Sequence, residues 1–562
     1  MSIRPTFYGF EIGRSALAAS QRSIDITGQN IANINTPGYS RQRVNLTSMG
    51  VGALDKWKWS MEPYDNVGLG VDMIGVQRIR DEFLDVRFWK DNSDLGRYET
   101  KWSALDALEM LLDEFTMPNI QDGLFKFQDA LQELANNADN IEYAKQAMSI
   151  AETLTRTLNK TAVDIETIVN DQLTRLELIV KNINNAAAAI DRLNKEIRTQ
   201  KVIGGFVSNE LLDARDLLFD ELSSYGNIRI VRESIYEDED MNGQYTGAIS
   251  VYFGVGDEEV ILVDGTRGEK ITDATFYSGY EGYFNLLRFS RDDYEDIYDP
   301  TDPTALDNIT DFQRDPFRII WDTGDNAEQE VIVSSGQILG YYEMLNGKGD
   351  VDLLSDPDTA DMATKGIPYF LNMINAFAYT FAETFNDIND GGSEFSDESG
   401  GDLFDSTDEN NIFARNIRIS DAWRTDPYLI LRTNNEIDEE DPNYAADNSN
   451  ILRMIYAVKD ESMQITTADG DVLFTGSFLQ YAVSVNSEIT IEVNYNNKQL
   501  AVSEGMVLSL DNLRDSIKSV NEDEEAMNLM RFSRSYAAAS RFMTVLDEMI
   551  ETIVHRLGIV GR

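Results

Sequence analysis

The side chains that most often carry catalysis or bind transition metals are scarce in this sequence of 562 residues. It has one histidine, His555, and no cysteine. A Ser-His-Asp triad needs a histidine beside its nucleophile, and a zinc site needs several His or Cys ligands. His555 stands alone near the end of the chain, so an ordinary surface residue is the simpler interpretation. The absence of cysteine also excludes disulfides and a cysteine nucleophile.

One acidic segment has the spacing of a metal-binding loop. Asp238, Asp240 and Asn242, followed by Gly243, match the first half of a calcium loop. The twelfth position should hold a bidentate glutamate, and here it is Ile249. Asn-Gly between strand-like segments is also a strong signal for a two-residue hairpin turn. We therefore expect a hairpin, with calcium binding as the alternative, and no metal or cofactor elsewhere.

The charge balance excludes several partners. The chain has 98 acidic and 48 basic residues, a formal charge of −50, and it repels phosphate backbones and anionic lipid head groups. No run of eighteen apolar residues suggests membrane insertion, and the N-terminus lacks the apolar stretch of a signal peptide. Gly68-Leu69-Gly70 lacks the third glycine of a dinucleotide fingerprint. We expect neither nucleic acid nor membrane as a partner.

Periodic apolar residues mark both ends of the chain. At the N-terminus they recur every seven residues, at Ile3, Phe10, Leu17, Ile24 and Ile31. At the C-terminus they alternate steps of three and four, as in the a/d positions of a coiled coil, at Leu529, Phe532, Tyr536, Ala539, Met543, Leu546, Ile550, Ile553 and Leu557. Pro37 and Gly38 end the first helix. Helices with so narrow an apolar face need a partner, either the other terminus or another subunit.

The remaining elements alternate between helical and strand patterns. A long helix is predicted over about 141–200, and strands at Ala248–Val255 and Glu259–Val263. Helices are predicted again at Gly336–Leu345 and Pro368–Ile388, and an exposed acidic loop at 390–411. Ser487–Tyr495 alternates as a strand would, but its neighbours favour helix, and helix is our prediction.

These patterns predict a multidomain α+β protein. Residues 1–60 with 515–562 would form a terminal coiled-coil polymerisation domain, and 61–226 with 477–514 a helical bundle domain. Residues 227–476 would form a β-rich outer region with helical segments near 336–390. Terminal coiled-coil helices outside a folded middle are typical of a structural subunit that polymerises rather than of an enzyme.

Four segments resemble the bacterial flagellar axial proteins, which form the rod, the hook and the hook–filament junction. They are NIANINTPGYSRQ (30–42), GLGVDMIGVQRIRDEFLDVRFWK (68–90), NELLDARDLLFDELS (209–223) and VNEDEEAMNLMRFSRSYAAASRFMTVLDEMIETI (520–553). The first and last are shared by the whole family. The two inner segments are most similar to the junction proteins of that family.

The resemblance implies an extracellular structural protein at the hook–filament junction, exported by the flagellar type III apparatus. Its partners would be copies of itself, the flagellar hook protein, hook-associated protein 3 and an export chaperone that holds the C-terminal helix. The apolar rows of both termini would form the assembly interface. At the N-terminus they would be joined by five residues of the first segment: Asn30, Asn33, Thr36, Gly38 and Tyr39.

Two alternatives remain open at this point. A hook or distal rod protein would share both terminal segments, but the two inner segments argue against it. An extracellular enzyme or binding module on a flagellar scaffold would carry its site in the middle of the chain. The acidic stretches at 291–311 and 390–411 are the places where such a site would lie.

Overall fold

Helices dominate the computed structural model, and small antiparallel sheets complete it. The described residues are 8–48, 70–112, 117–138, 140–204, 206–234, 245–255, 259–264, 286–289, 317–322, 328–349, 363–390, 401–407, 411–431 and 448–556. Within them, the predicted α+β class is confirmed. No helix in these ranges combines the length and the hydropathy needed to cross a lipid bilayer.

The described helices are numbered in chain order. They are α1 (Tyr8–Ala32), α2 (Glu82–Glu109), α3 (Met117–Asn136), α4 (Ile141–Gly204), α5 (Asn209–Tyr225), α6 (Gln337–Asn346), α7 (Ile367–Asp390), α8 (Asp421–Thr425), α9 (Ser449–Lys459), α10 (Phe478–Lys518) and α11 (Glu522–Arg556). A 3-10 turn at Pro427–Leu429 follows α8.

The described strands form five small sheets. The strands are β1 (Gln42–Ser48), β2 (Val71–Arg78), β3 (Ile228–Ser234), β4 (Tyr245–Phe253), β5 (Val260–Val263), β6 (Leu286–Phe289), β7 (Ile319–Asp322), β8 (Glu328–Glu330), β9 (Phe404–Ser406), β10 (Ile417–Ile419), β11 (Gln464–Thr466) and β12 (Val472–Thr475). Their orders are β1-β2, β3-β4-β5, β6-β7-β8, β9-β10 and β11-β12. All the pairings among these strands are antiparallel.

The helical part of the chain is built around a continuous apolar core. Helix α10 packs antiparallel to α2, since Arg514 Nε bonds Asp85 Oδ1 at one end and Asn496 Nδ2 bonds the Tyr98 carbonyl further along. Helix α7 contributes aromatic rings, including Phe381, which meets Phe404 edge to face at 5.1 Å between ring centroids. Buried residues from α2 to α10 belong to this one cluster. The core therefore lies in the middle of the chain and not at its ends.

Most sequence predictions of individual elements are confirmed. Helix α4 covers the predicted 141–200, helices α6 and α7 match the two predicted later in the chain, and β4 and β5 match the predicted strands. Ser487–Tyr495 lies within α10. Its alternating pattern arises because α10 is apolar on two faces: Ile489 and Val493 are buried, whereas Ile491 and Tyr495 are exposed.

One prediction was wrong, and several fall outside the described residues. The predicted exposed loop at 390–411 contains strand β9, whose first residue Phe404 is fully buried, as is Leu403 just before it. The strand is held by Asn386, whose Oδ1 accepts the backbone amides of both residues at 2.9 Å. The calcium-like segment Asp238–Gly243 and the acidic stretch 291–311 lie outside the described residues.

Candidate functional site

The two terminal helices pack against each other. Helix α1 runs antiparallel to α11, because Gly9 faces Leu546 while Gly13 faces Met543. The approach is close: a Cβ at Gly9 would lie 3.0 Å from both methyl carbons of Leu546. Glycine at these positions lets the backbone of α1 come near the side chains of α11. Among the described residues, the partner of each terminal helix is therefore the other terminus.

This pairing covers the predicted interface residues only in part. On α11, Ala539 is buried, while Leu529, Tyr536 and Ile553 are 36–44% exposed. The remaining described members of the two rows are half-buried: Phe10, Leu17, Ile24, Ile31, Phe532, Met543, Leu546 and Ile550. Ile3 and Leu557 lie outside the described residues. His555 is exposed on α11.

Asn30 connects three segments at the base of the terminal helices. Its Nδ2 donates to the Gln42 carbonyl at 2.9 Å and to Glu525 Oε2 at 3.1 Å. Its Oδ1 accepts from the Gln42 amide at 3.0 Å and from the Tyr39 hydroxyl at 2.9 Å. The residue is 1% exposed; three of the bonds are buried, and the one from the Tyr39 hydroxyl is partly buried. Gln42, whose backbone makes two of these four bonds, is the first residue of strand β1.

Arg41 ties the same loop to the other end of the chain. Its guanidinium pairs with Glu525 at 2.6 Å and with Glu524 at 2.8 Å, both in the first turn of α11. Its backbone amide donates to the Lys518 carbonyl, at the last residue of α10, at 2.8 Å. Carboxylates in the first turn of a helix also complement its dipole. One loop thus holds the junction between α10 and α11.

The other motif residues shape the turn that ends α1. Asn33 donates to the Gln29 carbonyl at 3.0 Å, and Thr36 Oγ1 donates to Asn33 Oδ1 at 3.1 Å. Gly38 has a φ of 76°, a conformation that favours glycine. Burial, together with the charges of Asp213 and other nearby carboxylates, raises the pKa of Tyr39 well above its ordinary value. Tyr39 is therefore a neutral hydrogen-bond donor to Asn30.

A cluster of ion pairs continues from this turn into the helical bundle. Its members are Arg78, Arg80, Asp85, Asp213, Asp216, Asp220 and Arg514. Arg514 on α10 has a side chain only 2% exposed and bonds Asp85 of α2 and Asp220 of α5. The Ser40 amide donates to Asp213 Oδ2 at 3.1 Å, which connects the cluster to the motif loop.

Burial sets the protonation behaviour of this cluster. Desolvation raises the pKa of Asp213, although Arg78 and the Ser40 amide oppose that shift. Desolvation also disfavours the charged form of Arg80, but Asp216 and Asp85 outweigh it and raise the pKa of Arg80. Arg80 therefore stays charged at neutral pH. Removing only one partner of a buried ion pair strongly destabilises the folded protein, because the other charge is left unpaired.

We call the whole assembly of contacts the joint. It comprises Asn30, Tyr39, Ser40, Arg41, Gln42, Arg78, Arg80, Asp85, Asp213, Asp216, Asp220, Arg514, Lys518, Glu524 and Glu525. All four sequence segments that carried the family resemblance meet here. Sequence reasoning did not single out Asp85, Asp213, Glu525 or Arg514. The first three lie within those segments, whereas nothing in the sequence distinguished Arg514 from other charged helix residues.

Comparison with known proteins agrees with this architecture. The model of the flagellar hook-associated protein FlgK helical domain matches residues 105–286. The flagella basal body rod protein model matches 10–39, and the flagellar basal body rod FlgEFG protein C-terminal model matches 518–555. The two rod models coincide with α1 and α11, the paired terminal helices.

Relatives and a solved structure extend the match. Flagellar hook-associated protein 1 of Bacillus subtilis is 27% identical over 99% of both chains. The protein of that name from Salmonella typhimurium is 27% identical over 38% of each chain. The flagellar hook junction protein FlgK from Burkholderia pseudomallei has a similar fold, with a TM-score of 0.52 and 12% identity, over 77% of this chain and 100% of that one.

The terminal helices pair with each other and are joined to a helical bundle, and rod-protein models match both ends of the chain. These features define a structural protein of the bacterial flagellar axis. Such proteins assemble with other flagellar components. Within this class, the chain is similar over nearly its whole length to flagellar hook-associated protein 1, and its residues 105–286 match the FlgK helical-domain model.

Proposed function

We propose that this chain forms the junction between flagellar hook and filament by polymerising through its terminal helix pair. The observation that carries the proposal is the α1–α11 pair, whose apolar rows are only partly covered within one chain. A second copy would cover the exposed members of those rows, and burial of their apolar surface would favour the contact. The role depends on shape and packing, not on catalysis.

The joint gives the terminal pair a fixed position on the bundle. The exposed members of the row, such as Tyr536 and Ile553, would contact neighbouring copies, together with the half-buried residues beside them. The motif residues Asn30 and Gly38 would have a different role in assembly. Asn30 is buried within the chain and Gly38 shapes the turn, so they would orient the interface instead of touching the neighbour. This refines the assembly role that the sequence predicts for them.

The partners follow from the position in the flagellum. We infer that hook protein lies on one side of the polymer and hook-associated protein 3 on the other. An export chaperone would cover the C-terminal helix before assembly, and export would proceed through the flagellar type III apparatus to the cell exterior. In the three-part organisation that we propose, the terminal pair lies innermost and parts of residues 227–476 lie furthest out, while α7 packs into the core of the helical bundle.

Location on isolated flagella tests the proposal. Immuno-electron microscopy should show a discrete band where hook meets filament, and a deletion strain should release filament subunits into the medium. Label along the hook or within the rod would overturn the junction assignment in favour of another axial protein. A deletion strain with normal filaments would also contradict it.

A further inference from the structure

Helix α10 carries apolar side chains on two separate faces. Val493, Leu500 and Leu510 are buried on the side that faces α2. On the other side is a row that we call the outer stripe. Its members are 49–60% exposed: Ile491, Tyr495, Val502, Met506 and Leu513.

The outer stripe is one continuous face of the helix. Its members are separated by four, seven, four and seven residues, which at 3.6 residues per turn places them within about 60° of one another. The row is about 33 Å long at 1.5 Å per residue. A helix that is apolar on opposite faces is normally covered on both. Within a single chain, the described residues leave the outer stripe of α10 exposed.

Charge is nearly absent from the outer stripe. In this chain 26% of residues are charged, and the residues beside the stripe include one acid and one base, Glu492 and Lys498, while Asn494, Gly505, Ser509 and Asn512 are uncharged. The acidic residues Glu504 and Asp511 point to the opposite side of the helix, by the same helical geometry. Depletion of charge is characteristic of the core of a protein interface.

The occupant that fits best is a second copy of this chain. Two molecules of net charge −50 repel each other, so they can approach closely only through faces that are neutral. The outer stripe is such a face. It also ends near the terminal pair, because residues 519–521 alone connect α10 to α11. A stable interface buries about 800 Å² per partner, a circle of about 32 Å in diameter, and the stripe is long enough to cross it.

We propose that the outer stripe of α10 is a lateral docking surface for a second copy of this chain within the polymer. The inference rests on the proposed function, since it requires side-by-side copies. It adds an interface on the helical bundle to the one at the termini. In a ring or helix of identical subunits the contact is heterologous, so the stripe of one copy meets a different face of the next.

Thiol labelling tests the surface directly, since the natural chain has no cysteine. Met506→Cys places a thiol on the stripe, and Glu504→Cys, exposed on the opposite side of α10, is the matched control. Each full-length variant is treated with a maleimide as purified chain and in isolated flagella.

We expect Cys at 506 to react about tenfold or more slowly in flagella, which corresponds to about 1.4 kcal/mol of protection. The control should keep its rate. Equal rates at position 506 in both samples would overturn the inference.

A photocrosslink identifies the occupant. Benzophenone-maleimide on Met506→Cys in isolated flagella should give a product of twice the 63.4 kDa chain mass. A product containing only another flagellar subunit would overturn the choice of a second copy. Immuno-electron microscopy of the same strain separates the two hypotheses. If the protein lies at the junction while position 506 stays reactive, the stripe inference fails and the proposed function stands.

Discussion

At Asn30 a single amide holds together segments that are far apart in the sequence. Its bond to Glu525 spans 495 positions, and both residues are buried. The bonding is specific to an amide, because Asn30 donates to two acceptors and accepts from two donors at once. This use of all its bonding capacity is a physical reason for an asparagine at this position.

Asn30→Asp should loosen the terminal pair. The change removes both donated bonds and puts a carboxylate beside Glu525, so we expect a loss of about 3 kcal/mol or more. Hydrogen exchange of the α1 and α11 amides measures the effect. Asn35→Asp is the control, since Asn35 is exposed just beyond the helix. Unchanged protection of α1 in Asn30→Asp would contradict the role given to the joint.

Sequence reasoning identified Asn30, Gly38 and Tyr39 through a family resemblance, but it did not reveal their contacts. The spacing of residues along one segment says little about which other segment they meet. Arg514 illustrates the limit. It resembles any other charged residue in a helix, and only the packing of α10 between α2 and α5 shows that its charge is buried.

At the scale of elements, the pairing of α1 with α11 is separate from the apolar core of the bundle. The core cluster includes residues from α2 through α10 and excludes both terminal helices. The elements themselves were largely predictable, because helix α4 and helix α11 have long, regular apolar periods. Strand β9 was not predictable, because its burial depends on Asn386 of α7 and its own acidic sequence has no strand pattern.

Leu546→Glu tests that separation. Leu546 packs against Gly9, so a carboxylate there should weaken the terminal pair and prevent assembly, because an unpaired buried charge costs several kcal/mol. Thermal unfolding of the bundle should stay nearly unchanged, while junction formation and motility are lost.

Glu551→Gln, at an exposed position on the same helix, is the control and should be tolerated. Two results would count against the expectation for Leu546→Glu. A loss of several kcal/mol from the bundle would place α11 in the core, and intact motility would remove the terminal pair from the assembly mechanism.

Over the whole molecule the acidic charge is unevenly distributed. Residues 227–476 hold 53 acidic and 16 basic residues, and so carry −37 of the formal −50. The two ends and the helical bundle are closer to neutral. Identical copies can therefore pack closely through the helical parts while the acidic parts repel one another.

Polymerisation of the purified chain should accordingly increase with salt. The Debye length falls from about 10 Å at 0.1 M to about 3 Å at 1 M, so repulsion between the acidic regions is screened. Light scattering in sodium chloride measures the extent of assembly. Sucrose at matched osmolality is the control for non-electrostatic effects, and an equal response to both would show that charge does not limit assembly.

The length of α4 has a mechanical consequence. With 64 residues it extends about 96 Å, and its C-terminal part is held to the joint through α5, where Arg215 bonds Asn194 at 3.0 Å. In the N-terminal half of α4, Asn159 Nδ2 donates to the carbonyls of Ala414 and Ile417, the first residue of β10. A rotation of one degree at the joint would move the far end of such a rod by about 1.7 Å. Buried residues from Ala144 to Ile190 pack α4 into the core cluster, so in a rotating shaft the bundle would carry such a rotation along the whole helix as one body.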